Sequence, residues 1–224
     1  MVVKLTDEII IESHDINKPS LANKLPALFL DRDGVVIKEC HYLSNPDKVR
    51  LEKGILKLLK TAYISGWKVI VVTNQSGISK DIFSWEDYKL VTNKVIDLIG
   101  KPCPISAIYA NSFLPGSEIN SWRKPNPRMI SLAVEKFNLD LNKSILIGDR
   151  LTDLQAGARA GVNQVIHVKT GHGFKERKLV LNNIKDGYFF DKGKKTSLLL
   201  IDSINLCKLN QNTNLIEEDF SYDK

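Results

Sequence analysis

Short apolar runs bounded by turn-forming residues recur along the chain at Ala27 to Leu30, Val69 to Val72, Ile105 to Tyr109, Ile145 to Ile147 and Val165 to Val168. Apart from Ser106 and His167, each is apolar at consecutive positions rather than at alternate ones, the pattern of a strand buried on both faces. Between them the apolar positions take helical spacing: Ile55, Leu58, Leu59 and Ala62, then Tyr88, Val91, Val95, Ile96 and Ile99, then Ile130, Ala133, Val134 and Phe137. Strand and helix therefore alternate, which predicts an α/β domain built on a mainly parallel, doubly wound (Rossmann-like) sheet covered by helices. Such sheets bind ligands beyond the carboxyl ends of their strands. Polar residues stand at those positions here: Asp31 after the first run, Thr73 after the second and Asp149 after the fourth.

The alternating pattern occupies residues 26–207, which we take as the domain. Residues 1–25 precede the first core strand and form an N-terminal extension, either an extra edge element or a flexible arm. The apolar stretch Ser197 to Leu206 predicts one more helix, and from 208 to 224 the chain turns polar and Asn-rich, which predicts a disordered tail. About forty residues separate Asp33 from Thr73, and a strand-helix unit takes up most of them, so no large cap domain fits between them.

Composition narrows the setting more than the chemistry. With 224 residues and ordinary apolar and charged fractions, one globular domain is the default. No apolar run approaches the roughly 20 residues needed to cross a bilayer, and the charged start lacks the unbroken apolar stretch of a signal peptide, so the expectation is a cytoplasmic protein with no membrane partner. The three cysteines, Cys40, Cys103 and Cys207, are far apart and suggest neither a disulfide framework nor a zinc knuckle. The net charge of +6 favours anionic ligands, whether nucleic acid or phosphorylated small molecules.

In Leu28-Phe29-Leu30-Asp31-Arg32-Asp33-Gly34-Val35-Val36 an apolar strand delivers two carboxylates, two residues apart, into a turn opened by glycine. Read alone, this is equally an ordinary strand ending in an Asp-Gly turn. With Val69 to Gly77, Arg123-Lys124-Pro125-Asn126-Pro127 and Gly148-Asp149 followed by Asp153, it resembles the four ordered motifs of the haloacid dehalogenase (HAD) superfamily phosphatases. The resemblance implies Asp31 as phosphate-accepting nucleophile, Asp33 as general acid and base, and Thr73 and Lys124 as holders of the phosphate oxygens. It implies Mg2+ as cofactor, held by Asp31, the Asp33 backbone and Asp149, with Asp153 in support. It also implies substrate contacts from Arg32, Asn74 and Arg123.

Within the superfamily, residues 27–173 resemble the subfamily that holds D-glycero-D-manno-heptose 1,7-bisphosphate and histidinol-phosphate phosphatases, through Leu-Asp-Arg-Asp-Gly-Val, Thr-Asn-Gln-Ser-Gly-Ile, Arg-Lys-Pro-x-Pro and Gly-Asp-Arg-x-x-Asp-x-x-Ala-Gly. The resemblance implies a phosphorylated small molecule as partner, a heptose bisphosphate of lipopolysaccharide precursor synthesis being the leading expectation. The sequence departs from the subfamily at Ile37 and Glu39 and, more clearly, in its zinc loop. Asn111 to Trp122 contains no thiol or imidazole, so no structural zinc is predicted and the loop must be ordered by packing, for instance of Phe113 and Trp122. Histidinol phosphate remains an alternative substrate. A polynucleotide 3'-phosphatase is a further one, although no interleaving of aromatic and basic residues marks a strand-binding groove. A non-catalytic scaffold would not need so many titratable groups together. With no lid, short loops or a neighbouring subunit of a homo-oligomer must exclude water.

Overall fold

The computed structural model describes residues 2–6, 9–13, 23–117, 121–210 and 214–218, with backbone alone for 2–6. In chain order its elements are β1 (Val2–Thr6), β2 (Ile9–Ser13), β3 (Ala27–Leu30), α1 (Ile55–Ile64), β4 (Lys68–Asn74), α2 (Trp85–Ile99), β5 (Ile105–Asn111) and α3 (Arg128–Phe137). They continue as β6 (Ile145–Gly148), α4 (Leu151–Ala160), β7 (Gln164–Val168), α5 (Gly173–Leu181), β8 (Ile184–Lys185), β9 (Tyr188–Asp191), β10 (Lys194–Ile201), β11 (Cys207–Asn210) and β12 (Leu215–Glu218).

The main sheet runs β1-β2-β5-β4-β3-β6-β7-β10-β9-β8. From β5 to β10 the neighbours are parallel, and antiparallel strands close both ends. The chain starts at the centre on β3, steps out to β4 and β5, then returns to the other side of β3 with β6. This reversal of direction opens a crevice at the carboxyl ends of β3 and β6, where the two strands diverge toward different helices.

The consecutive apolar positions divide between two cores because side chains alternate across a strand. Leu28, Leu30, Val69, Val71, Ile145 and Ile147 point to one side, where Leu58 and Leu59 of α1 and Val91 and Val95 of α2 cover them. Ala27, Phe29, Ile70, Val72 and Leu146 point to the other, under Ile130, Ala133 and Phe137 of α3 and Leu154 and Ala158 of α4. Helix starts agree with local chemistry. Ser84 caps α2 in a capping box with Asp87, each side chain bonding the other's backbone N–H.

Two segments differ from the sequence reading. Ser197 to Leu206 is not one helix: residues 197–201 lie in β10 and pair in parallel with β7, from Ser197 opposite Gln164 to Ile201 opposite Val168, and only Ile204–Leu206 make a short 3-10 turn. A short apolar run has no periodicity that separates strand from helix, and the open edge of β7 decides the matter. Where the polar composition after Lys208 suggests an unstructured tail, β11 and β12 form a hairpin against α1. Ile216 and Cys207 enter the first core, and the Gln164 side chain bonds both the N–H and the carbonyl of Ile216, as a neighbouring strand would. Residues 219–224 lie outside the described residues. At the other terminus, β1 and β2 add to β5 as an antiparallel edge element; residues 14–22 of the extension are not described. Between β3 and β4 the chain forms only a turn at Pro46–Lys48 and α1, so no cap domain is inserted.

Candidate active site

Asp31 follows the last residue of β3, and its N–H continues the sheet by donating to the Ile147 carbonyl at 3.0 Å. Its carboxylate, nearly covered, accepts from the Lys124 ammonium at 2.5 Å. The same ammonium donates to the Val72 carbonyl at 2.7 Å and reaches Asp153 Oδ1 at 2.8 Å, so its three donors all have acceptors. Burial alone would lower the Lys124 pKa, but Asp153 and Asp31 more than offset it and hold the group above the ordinary lysine range. Lys124 is therefore a fixed cation between two aspartates.

Lys124 reaches this position because its loop is held from below by Asn74, the last residue of β4. The Asn74 amide accepts from the Lys124 N–H at 3.1 Å and donates to the Lys124 carbonyl at 3.2 Å, while Asn111 at the end of β5 donates to Asn74 Oδ1 at 3.0 Å. Both ends of the Asn74 side chain are thus engaged by protein. Arg123 lines the cavity and ties two loops together by donating to the Phe113 carbonyl at 2.9 Å. Trp122 packs against the second core.

Asp149 follows β6 and is fully buried. Its Oδ2 accepts from the His172 N–H at 2.7 Å, and Gly34 and Gly171, packed against each other, both lie close to that oxygen. Both glycines have positive φ, and a Cβ on either would come within 2.5 Å or less of Oδ2. Behind it, His167 Nδ1 accepts from Arg177, so Nε2 carries the proton and donates to the Asp149 carbonyl at 3.0 Å. Burial, with Arg177 beside it, pushes the His167 pKa down to about 4, in keeping with a neutral ring.

Asp149 Oδ1 has no partner among the described residues. It belongs to a buried group in which one oxygen each of Asp31, Asp149 and Asp153 lie within 4.8 Å of one another. Burial and the neighbouring carboxylates push the Asp149 pKa up to about 9, and burial, only partly offset by Lys124, pushes that of Asp31 up to about 7. A single ammonium does not balance three such groups. An orphaned carboxylate oxygen in an all-oxygen set fits a hard divalent cation.

Asp33 forms part of the opposite wall. Arg32 donates to its carboxylate through Nε at 3.1 Å and Nη2 at 3.0 Å, and Gln75 Nε2 donates to Oδ2 at 2.9 Å. Gln75 Nε2 also donates to Thr73 Oγ1 at 2.7 Å. Asp31, Arg32, Asp33, Thr73, Asn74, Arg123, Lys124 and Asp153 all line one cavity of about 330 Å³, with Asp149 at its base. Its rim carries Glu39, His41, Tyr42, Lys80, Arg150 and His172.

The family model for HAD-hydrolase-like proteins matches residues 121–191. A D-glycero-beta-D-manno-heptose-1,7-bisphosphate 7-phosphatase of Mesorhizobium japonicum is 38% identical over 147 residues, 62% of this chain and 68% of that protein. The corresponding alpha-anomer enzyme of Photorhabdus laumondii is 36% identical over 160 residues, 67% of this chain and 86% of that one. The chain belongs to the HAD superfamily phosphatases. As in other solved members, the fold covers most of the molecule: a HAD-like phosphatase of Mesorhizobium loti aligns with a TM-score of 0.70 at 30% identity, over 88% of each chain. D,D-heptose 1,7-bisphosphate phosphatase from B. bronchiseptica, whose structure contains magnesium and phosphate, aligns with a TM-score of 0.66 at 26% identity over 81% of this chain and 94% of that one.

In this HAD phosphatase the nine residues singled out from sequence converge on one crevice. Sequence reading did not assign Gln75, Asn111 or His167. Gln75 stands two residues after Thr73 near a strand end, which puts both side chains on one side, and His167 interrupts the last apolar run. Those signals are local, whereas the partners that give them meaning are distant in sequence.

Proposed function

We propose that the protein is a magnesium-dependent phosphomonoesterase that works through an aspartyl phosphate on Asp31 and acts on a heptose bisphosphate. The observation that carries this reading is the Lys124 ammonium fixed between Asp31 and Asp153 beside the orphaned Asp149 oxygen. It sets one carboxylate at the cavity floor with an ammonium on one side and an all-oxygen donor set on the other.

Magnesium would be held by the carboxylates of Asp31 and Asp149 and the backbone carbonyl of Asp33; bound there, it offsets negative charge on the phosphoryl oxygens. Asp153, already bonded to Lys124 and the Arg150 N–H, serves as support. An Asp31 oxygen attacks phosphorus, the bond from phosphorus to the leaving oxygen breaks, and Asp33 gives its proton to that oxygen. Asp33 then takes a proton from water as the water attacks phosphorus, and cleavage of the acyl phosphate returns the Asp31 carboxylate and inorganic phosphate. Thr73 holds a non-bridging oxygen through its hydroxyl, and Lys124, its donors taken by Asp31, Val72 and Asp153, acts on the phosphoryl oxygens by its charge.

The substrate class is supported by the names of the relatives and by the cavity, whose volume suits a sugar phosphate and whose lining cations Lys80, Arg123 and Arg150 suit a second phosphate. By analogy with those relatives the phosphate at C7 is removed. A cytoplasmic role in making lipopolysaccharide precursors accords with three unpaired cysteines, and no helix among the described residues is long and apolar enough to cross a membrane.

A panel of phosphomonoesters assayed for phosphate release, with magnesium and with a chelator, tests the proposal. Release from heptose 1,7-bisphosphate is expected to exceed that from histidinol phosphate or a 3'-phosphorylated oligonucleotide and to vanish with the chelator. Asp31→Asn should lower kcat by a factor on the order of 10³ or more. Magnesium-independent release, or none from any sugar phosphate, would overturn the reading.

A further inference from the structure

Arg32 reads from sequence as a substrate contact, yet the residue is only 3% exposed and two of its three guanidinium nitrogens are engaged, Nη1 having no partner among the described residues. Its Nε and Nη2 fork onto the Asp33 carboxylate, Nη2 also donates to Gln75 Oε1 at 3.0 Å, and the group lies over the Tyr88 ring, 5.3 Å from its centroid. Since a guanidinium can only donate, Gln75 must turn its oxygen toward Arg32 and its NH2 toward Asp33 and Thr73. The two hydrogens of that NH2 then go one to Asp33 Oδ2 and one to Thr73 Oγ1. Thr73 Oγ1, being the acceptor in this bond, keeps its own hydrogen to donate elsewhere.

We propose that Arg32 and Gln75 are positioning residues that hold Asp33 at a fixed place and angle relative to the Thr73 hydroxyl, so that the acid meets the leaving oxygen while the hydroxyl holds a non-bridging oxygen of the same phosphoryl group. This rests on the reading of Asp33 as general acid and deepens it. Gln75 is the link, because one rigid amide spans both groups, and Arg32 fixes that amide and the plane of the carboxylate at once. Both carboxylate oxygens are held, Oδ1 by Arg32 Nη2 at 3.0 Å and Oδ2 by Arg32 Nε at 3.1 Å and Gln75 at 2.9 Å, so the carboxylate cannot rotate out of its plane. The shift in role for Arg32 follows from burial: a guanidinium this covered and held through Nε and Nη2 has little freedom to reorganise toward a sugar.

Such a role has a signature that packing alone does not produce. Proton donation matters most when the leaving alcohol is a poor leaving group and least when it is acidic, so loss of acid positioning should depend on the leaving group. The experiment compares kcat/KM for an alkyl sugar phosphate and for 4-nitrophenyl phosphate in wild type, Arg32→Met, Arg32→Lys, Gln75→Met and Asp33→Asn, with melting temperatures for each.

The ratio of alkyl to aryl kcat/KM is expected to fall about tenfold or more in Asp33→Asn, Arg32→Met and Gln75→Met, with KM for the sugar phosphate little changed and Arg32→Lys partly restored. If Arg32→Met does not fold, Gln75→Met carries the same test. A fall confined to Asp33→Asn would overturn the positioning roles and leave the general acid in place. A fall in none of the variants would remove the general-acid reading itself. Equal losses on both substrates, with a raised KM for the sugar phosphate in the Arg32 variants, would make Arg32 a substrate contact and overturn the proposal.

Discussion

Glu12 in β2 is covered to 3% exposure, and its Oε1 has no partner among the described residues. Burial raises its pKa above 4.5, with Lys89 and Arg32 offsetting part of the effect. An acid whose folded pKa is raised adds stability that is fully present below the unfolded value and lost as pH rises through the folded one. Glu12→Gln should therefore raise the melting temperature at pH 7 to 8 and change it less at pH 4, a difference that thermal denaturation across that range would detect. At this scale the sequence was informative where chemistry demands a residue type at a strand end, as with Asp31, Thr73 and Asp149. It was silent on Gln75 and His167, because each takes its role from a partner elsewhere: Gln75 from Asp33 and Arg32, His167 from Arg177 and the Asp149 carbonyl. Arg32 shows the converse, since its place in a motif reads as a substrate contact while burial directs it inward.

Among the elements, the central strands and the first three helices were legible because their apolar spacing is imposed by two-sided burial. The C-terminal elements were not. Leu198, Leu199 and Leu200 suit a strand or a helix equally, and β10 is a strand because β7 would otherwise leave its edge unpaired. The β11–β12 hairpin carries few apolar residues, and two of them, Cys207 and Ile216, secure it against α1 and the sheet. Burial pushes the Cys207 thiol up to about 12, whereas Cys40 is exposed. Iodoacetamide should accordingly modify native Cys40 and reach Cys207 only after unfolding. Ile216→Ala should cost about 2–5 kcal/mol in urea denaturation and make Cys207 reactive; modification of native Cys207 as fast as of Cys40 would mean that the hairpin is not docked.

Across the whole molecule, the winding of the sheet brings together groups that lie far apart in the chain. The reversal at β3 and β6 sets Asp31 beside Asp149, β4 supplies Thr73 and the Asn74 clamp, and the loop before α3 inserts Lys124 between Asp31 and Asp153. Gly34 and Gly171 let two further loops close over Asp149. Every one of these placements serves a single carboxylate, and so its covalent chemistry is the most direct thing to measure. The enzyme is mixed with a heptose bisphosphate in magnesium, reduced with borohydride within one turnover, digested and sequenced by mass spectrometry. Reduction of an acyl phosphate at Asp31 converts that residue to homoserine, and homoserine at position 31 in the wild type, absent without substrate, is the expected result. Homoserine at another aspartate, or turnover with none at position 31 under conditions that trap other acyl phosphates, would contradict it.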